Sequence, residues 1–207
     1  MGQKIAIMIL AAGSSSRYGK PKQLLQLDGK SLLRRSAEIA LASGCEPVIA
    51  VLGASAAELA NEISDIPVAV VINENWQQGM SSSLKLGLLQ IVRQVPDASA
   101  AVIMLCDQVR INTATIQRLI NTYKESRKPI VAAYYSDTFG VPALFAAEMF
   151  DELMMLEGDA GAKSVITKHL RKSVATIDAP EAAFDLDTIE QYESLGKSAA
   201  DTDRQKK

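Results

Sequence analysis

Residues 5–25 read IAIMILAAGSSSRYGKPKQLL, an apolar run that passes directly into small and basic residues. The apolar part, Ile5–Leu10, predicts a strand that is buried on both faces. Gly13 follows where the chain must turn sharply, and serines 14–16 place small side chains over exposed N–H groups. Successive N–H groups in such a turn form an anion-binding concavity. The basic residues beside it are Arg17, Lys20 and Lys22. The stretch therefore predicts a phosphate-binding loop, and a solvated turn between a strand and a helix is the alternative.

Two familiar phosphate loops do not fit this spacing. A Walker A loop has four residues between its glycines, then Lys followed by Ser or Thr. Here five residues separate Gly13 from Gly19, and Pro21 follows Lys20. The chain also lacks a GxGxxG motif. The sequence thus favours neither a P-loop ATPase nor a simple Rossmann dehydrogenase.

Apolar runs recur along the chain with helical patterns between them. The other runs are Val48–Leu52, Val68–Ile72, Ala101–Leu105 and Ile130–Tyr135. Between them, apolar residues such as Leu84, Leu88 and Ile91 share one helical face. A turn and a strand are expected at 136–145, and two helical pieces are expected on either side of 157–161. We predict an α/β fold with a three-layer, doubly wound, mostly parallel sheet of Rossmann-like type, whose ligands bind outside the carboxyl ends of the strands.

Composition narrows the class of partner. The 207 residues favour one domain and carry a formal net charge of −2, which gives no excess positive charge for nucleic acid or a membrane surface. Cys45 and Cys106 lack metal-binding spacing and are expected to be reduced thiols. The first apolar run is too short to span a membrane and leads into the loop rather than into a cleavage site. We expect a cytoplasmic protein with a small-molecule partner.

The segment LAAGSSSRYGKPKQLL (10–25) resembles the LAAGxSxRxGxxKxLL signature that opens the MobA-like nucleotidyltransferases, in particular the branch of molybdenum cofactor cytidylyltransferase. Later segments resemble that branch in the same order along the chain. They are NENWQQGMSSSLKLGL (73–88), MLCDQV (104–109), GVPALF (140–145), LEGDAGAKSVI (156–166) and FDLDT (184–188). The resemblance implies one nucleotidyltransferase domain over 1–195, with a nucleotide-binding part to about residue 110 and an acceptor-binding remainder. Residues 196–207 are polar and aperiodic, and we expect a solvated tail.

The resemblance implies transfer of CMP from CTP to the phosphate of molybdenum-molybdopterin, giving molybdopterin cytosine dinucleotide and pyrophosphate. It also implies Mg²⁺, with Mn²⁺ as a substitute, and transient contact with a molybdenum-dependent oxidoreductase. Two alternatives stay open. One is a related transferase that uses another triphosphate or phosphorylated acceptor, and the other is a non-catalytic module that binds and delivers the cofactor.

The same resemblance assigns roles to individual residues. Arg17 and Lys22 are expected to be catalytic, through stabilisation of the phosphates. The nucleotide is expected against Leu10, Ala11, Ala12, Gly13, Ser14, Lys22, Asn75, Gly79, Ser83 and Asp107. For the serines near Ser83, capping of the following helix is the alternative role. Trp76 would stack on a base or simply pack within its loop, and His169 is expected to have a surface or packing role.

Two aspartates are candidates for the metal. Asp107 lies just past an apolar strand, where a carboxylate can hold Mg²⁺ against phosphates; the alternative is an N-cap for the helix that starts near Thr113. Asp185 and Asp187 alternate along an extended segment, so one of them faces the site. The resemblance assigns Asp187 to the metal opposite Asp107, and a helix cap near Ile189 is its alternative.

By resemblance the acceptor lies against Gly158, Asp159 and Lys163. Gly158 and Gly161 would form tight turns, and Asp159 would cap the next helix or make a polar contact with the acceptor. The family commonly has Arg where this chain has Lys163, so a planar bidentate phosphate contact becomes a point charge.

Overall fold

The computed structural model describes residues 3–14, 21–186, 188 and 191–194. The strands are β1 (Ile5–Ala11), β2 (Gln26–Leu27), β3 (Lys30–Ser31), β4 (Val48–Leu52), β5 (Ala69–Ile72), β6 (Ala100–Leu105), β7 (Ile130–Tyr135), β8 (Thr138–Ala146) and β9 (Val174–Asp178). The α-helices are α1 (Leu32–Ala42), α2 (Ala56–Glu62), α3 (Met80–Gln94), α4 (Thr113–Ser126), α5 (Phe150–Met154) and α6 (Ala162–His169). Short 3-10 turns lie at Lys22–Leu24, Trp76–Gln78, Ala147–Met149 and Pro180–Ala183.

The central sheet has the strand order β5-β4-β1-β6-β8-β7-β9. Parallel pairing joins β5 to β4, β4 to β1, β1 to β6, and β7 to β9. The exception is β8, which runs antiparallel to both β6 and β7. The predicted mostly parallel, doubly wound α/β sheet is confirmed, and the carboxyl ends of β1, β4 and β6 meet at one edge.

Two apolar cores lie between the sheet and the helices on its two faces. One core joins the sheet to α1, α2 and α4, and the other joins it to α3, α5 and α6. The predicted helical face of α3 lies in the second core, where Leu84, Leu88 and Ile91 are buried. Each such side chain contributes about 2 kcal/mol to folding relative to an exposed position. This packing fixes the start of α3 over the carboxyl ends of the strands.

The sequence pattern was wrong about β5 and did not indicate some short elements. The run at 68–72 predicted burial on both faces, but β5 lies at the sheet edge, where Val70 and Ile72 are 37% and 53% exposed. An edge strand has a neighbour on one side alone, so the layers cover it incompletely. The hairpin of β2 and β3 has two residues per strand, and β9 mixes polar with apolar residues, so neither produced a periodic signal.

A small third cluster connects the segment after residue 183 to the start of α1 and to the segment after β6. Leu186 packs with Leu32 and Val109, and the Tyr192 hydroxyl donates to the Gln26 carbonyl at 2.8 Å. The segment that begins at Phe184 is thereby held beside the first loop. The predicted domain end at residue 195 and the predicted tail at 196–207 lie outside the described residues.

Neither cysteine forms a disulfide. Cys45 and Cys106 are both free and buried, in agreement with the expected reduced thiols. In the described part of the chain, no helix has the length and apolar character needed to cross a membrane.

An ion pair between α1 and the turn after α2 gives a prediction about acid stability. Arg34 binds Asp65 through two bonds, Nη1 to Oδ1 at 2.8 Å and Nη2 to Oδ2 at 2.6 Å. The bond from Arg34 lowers the pKa of Asp65 to about 2, against about 3.9 for an unfolded Asp. The pair therefore stabilises the fold above pH 4, and this contribution is lost as the pH falls towards 2.

We expect Asp65→Asn to lower the urea midpoint at pH 7, and the difference from wild type should shrink steadily between pH 4 and 2. Glu125→Gln is the control, because no described residue forms an ion pair with Glu125. A difference for Asp65→Asn that is independent of pH would contradict the role of the ion pair.

Candidate functional site

A cavity of about 420 Å³ opens at the carboxyl ends of β1 and β6 and is closed on its other side by the start of α3. Its volume is in the range of small-molecule sites. The predicted residues that line it are Leu10, Ala11, Ala12, Gly13, Ser14, Lys22, Gly79, Ser83, Asp107 and Asp159, together with Trp76. Lining residues that the sequence did not indicate are Gln23, Gln77, Met80, Leu105 and Cys106. The fold thus brings together segments that are distant in sequence.

Gln23 holds the loop after β1 in place. Its side-chain Nε2 donates to the carbonyl oxygens of Ala11 at 3.0 Å and Gly13 at 2.9 Å, and the residue is 2% exposed. One buried amide therefore engages two carbonyl oxygens that would otherwise repel a phosphate. The sequence gives no signal for this role, because it depends on carbonyl groups that folding brings near Gln23.

The expected reason for Gly13 is wrong for the described conformation. Gly13 has no positive φ, and a Cβ at this position would meet no described atom within 4 Å. The turn itself therefore does not require glycine here. The absence of a side chain instead leaves open space in the wall of the cavity.

Lys22 and Asp107 meet on the floor of the cavity. Lys22 Nζ lies 2.5 Å from Asp107 Oδ2, and the two side chains are 21% and 20% exposed. The alternative role of Asp107 as a helix cap is excluded, because Asn112 caps α4 by accepting a hydrogen bond from Thr115 N at 3.1 Å. The floor therefore carries a cation that would bind a triphosphate and a carboxylate that would bind its metal.

The second oxygen of Asp107 fits a cation. Oδ1 is buried and accepts no hydrogen bond from any described residue. Leaving a buried carboxylate oxygen unbound is costly, and carboxylate oxygens are what Mg²⁺ and Mn²⁺ prefer. The described residues contain no group of three or more metal-ligating side chains.

The backbone carbonyl of Asp107 also binds the segment that leads to the second predicted metal ligand. Leu186 N donates to the Asp107 carbonyl at 3.0 Å. Asp187, the next residue, lies outside the described residues, and so does the predicted catalytic Arg17. Their roles stay predictions. Cys106 is next to Asp107 on the other side, and burial raises the pKa of its thiol, so this thiol is neutral and a poor nucleophile.

The loop between β5 and α3 forms the opposite wall. A Cβ at Gly53 would lie 2.7 Å from the Trp76 Cβ and 2.7 Å from the Ala12 carbonyl oxygen. Gly53 therefore allows Trp76 to pack against the end of β1, and the half-buried Trp76 also lines the cavity. Packing within the loop and stacking on a ligand both stay predictions for this residue.

The expected serine cap of α3 is not formed. The residue before the helix is Gly79, and the serines lie inside the first turn, with Ser83 lining the cavity. The cap comes from a distant loop, because Ser81 N donates to the Gly158 carbonyl at 3.1 Å. Asn75, also predicted at the nucleotide, is exposed and does not line the cavity.

The loop at 157–161 meets the cavity through one of its predicted residues. Gly158 forms the expected turn, with φ of +56°, and Asp159 lines the cavity. Of the two roles expected for Asp159, the helix cap is wrong, because α6 begins after Gly161 without a side-chain cap. Lys163 is exposed and does not line the cavity.

His169 lies away from the cavity, in agreement with its expected packing role. Its Nε2 is 2.7 Å from Glu152 Oε2, and Lys168 binds the other oxygen of the same carboxylate at 2.7 Å. These contacts connect α6 to α5 and lower the pKa of Glu152, mainly through the bond from Lys168.

Comparison with known proteins agrees with this geometry. The MobA-like NTP transferase domain matches residues 7–174. The chain belongs to the MobA-like nucleotidyltransferase family. It is 32% identical over 204 residues to nicotine blue oxidoreductase of Paenarthrobacter nicotinovorans, covering 91% of this chain and 94% of the relative.

A solved relative carries a metal. The crystal structure of Rv0371c from Mycobacterium tuberculosis H37Rv is 30% identical, with a TM-score of 0.79 over 94% of this chain and 98% of that one. A second structure of Rv0371c, in complex with manganese, is 28% identical with a TM-score of 0.75, over 93% and 98% of the two chains. A solved relative of this chain therefore binds a divalent ion.

Proposed function

We propose that this protein transfers CMP from CTP to the phosphate of molybdenum-molybdopterin and releases pyrophosphate. Family membership supports nucleotidyl transfer, and the resemblance of 10–25 and the later segments to the cytidylyltransferase branch supports this nucleotide and acceptor. The observation that carries the proposal is the Lys22–Asp107 pair at 2.5 Å, beside the loop after β1, with a buried carboxylate oxygen that no described residue binds.

Asp107 would hold Mg²⁺ or Mn²⁺, and we propose Asp187 as its second protein ligand. When bound, the ion neutralises negative charge on the triphosphate. The manganese complex of the Mycobacterium tuberculosis relative supports the use of a divalent ion.

In the proposed reaction an oxygen of the acceptor phosphate attacks the α-phosphorus of CTP. The bond from the α-phosphorus to the oxygen that bridges to the β-phosphate breaks, and pyrophosphate leaves with that electron pair. A phosphate monoester is largely ionised near neutral pH, since its second pKa is about 6, so the attack needs no general base. Lys22, with Arg17 as a second proposed cation, would stabilise the charge on the phosphates, and the N–H groups of the first loop would orient them.

We place the acceptor on the side of the cavity formed by the loop at 157–161. Asp159 lines this side, and Lys163 is proposed to reach the acceptor phosphate from the first turn of α6. On this proposal residues 1–195 are one domain, with the nucleotide bound by the part before about residue 110. The product would then pass to a molybdenum-dependent oxidoreductase.

The test is a panel of triphosphates. The full chain is incubated with Mg²⁺ or Mn²⁺, molybdopterin that carries molybdenum, and CTP, GTP, ATP or UTP, and pyrophosphate release is measured. We expect CTP to give the highest kcat/KM. Release with GTP or ATP in place of CTP would keep the transferase class and reject the cytidylyl assignment.

Absence of release with every triphosphate would reject the transferase proposal. Tight binding of molybdopterin without release would favour a delivery module. Without such binding, the oxidoreductase activity named for the Paenarthrobacter relative becomes the next function to assay.

A further inference from the structure

Asn73 lies at the end of β5 with its amide orientation fixed by the backbone. The residue is 4% exposed, and its N–H continues the sheet by donating to the Leu52 carbonyl at 2.7 Å. Its Oδ1 accepts a hydrogen bond from Asn75 N at 3.0 Å. Because a backbone N–H can only donate, the oxygen of the amide must point to Asn75 and the NH₂ group must point the other way.

Both hydrogens of that NH₂ group are used on the first turn of α3. Nδ2 donates to Ser82 Oγ at 2.8 Å and to Ser83 Oγ at 2.9 Å. An amide NH₂ group cannot accept, so each serine hydroxyl is the acceptor and must direct its own hydrogen elsewhere. Ser82 directs its hydrogen to the Gly79 carbonyl at 2.8 Å.

Ser83 differs from Ser82 in what its hydrogen can reach. Ser83 is 5% exposed and lines the cavity. In the described ranges, no group accepts a hydrogen bond from its hydroxyl. A buried hydroxyl hydrogen with no acceptor is costly, and the cavity is the direction left open to it.

We propose that Asn73 is a positioning residue that directs the hydroxyl hydrogen of Ser83 into the cavity, where Ser83 donates it to the nucleotide. The nucleotide atom at Ser83 is then an acceptor, such as a base carbonyl or a phosphate oxygen. This inference rests on the proposed function, because it takes the occupant of the cavity to be a nucleotide. The resemblance of segment 73–88 to the family assigned no role to Asn73.

Asn73→Asp tests this polarity with little change in shape. The new carboxylate still accepts from Asn75 N but also accepts from the hydroxyl of Ser83, which then offers the nucleotide a lone pair in place of a hydrogen. We expect the KM for CTP to rise about tenfold, as for loss of a buried hydrogen bond, with kcat changed less than about twofold. Ser83→Ala should raise KM equally. Ser82→Ala is the matched control and should keep the wild-type KM.

The double variant separates polarity from charge. If Asn73 acts through the Ser83 hydroxyl, Asn73→Asp should have no further effect on KM in a Ser83→Ala background. Repulsion between the new carboxylate and the triphosphate would persist in that background, and such a result would overturn the inference. Thermal unfolding of each variant checks that it is folded.

The remaining outcomes also test the inference. A wild-type KM in Ser83→Ala overturns the inference even if Asn73→Asp does not fold. If the wild-type protein binds CTP and Asn73→Asp has the wild-type KM, this inference is contradicted and the proposed function is not. A wild-type protein that shows no thermal shift with CTP, GTP, ATP or UTP contradicts both the inference and the proposed function.

Discussion

Asp107→Asn should lower kcat/KM for pyrophosphate release from CTP by about 10³-fold or more. Asn keeps the shape of the side chain but removes the negative charge that faces Lys22 at 2.5 Å. It also replaces a carboxylate whose second oxygen is buried and bound by no described residue. The variant should therefore lose affinity for Mn²⁺, which can be measured directly by electron paramagnetic resonance in the presence of CTP.

The control for this prediction is Asp97→Asn. Asp97 precedes β6, whereas Asp107 follows it, and its side chain is 65% exposed in an ion pair with Lys4. This variant carries the same chemical change at the opposite end of one strand and should keep wild-type turnover. Turnover near wild type in Asp107→Asn would reject Asp107 as the metal ligand. Loss of the folded state, seen by circular dichroism, would show a structural role instead.

The central sheet was predictable because buried strands have a distinctive apolar sequence pattern. The runs that became β1, β4, β6 and β7 agree with the predicted bounds to within one residue at each end. A strand that is covered on both faces must be apolar throughout, and such a run is visible without knowledge of its neighbours. Position within the sheet is not visible in the same way, so the exposure of β5 at the edge could not be foreseen.

The site was predictable where one residue has the required chemistry by itself. Asp107 combines a carboxylate with a place at the end of a buried strand, and Lys22 combines a cation with the first loop, so each was indicated by sequence. The roles of Gln23 and Asn73 depend on contacts with groups that folding brings near. Gln23 reaches the carbonyls of Ala11 and Gly13, and no spacing rule predicts that reach.

Gly79 shows the same dependence on distant contacts. Its φ is +101°, and a Cβ there would overlap the carbonyl oxygen and the carbonyl carbon of Gly158. These are backbone atoms of the loop whose carbonyl accepts from Ser81 N at 3.1 Å at the start of α3. The glycine therefore permits a contact that joins the nucleotide wall to the loop carrying Asp159.

Gly79→Ala should destabilise the protein by about 3 kcal/mol, because it combines an unfavourable φ with a clash against backbone. Gly158→Ala is the reference for a positive φ without a clash, although Gly79, with φ +101° and ψ 176°, lies in a region that is essentially restricted to glycine. The φ of Gly158, +56°, is also positive, but a Cβ there meets no described atom within 4 Å, so the cost should be about 1 kcal/mol. Urea unfolding of both variants measures the difference. Equal losses would contradict an added cost from a clash between a Cβ at position 79 and the 157–161 loop.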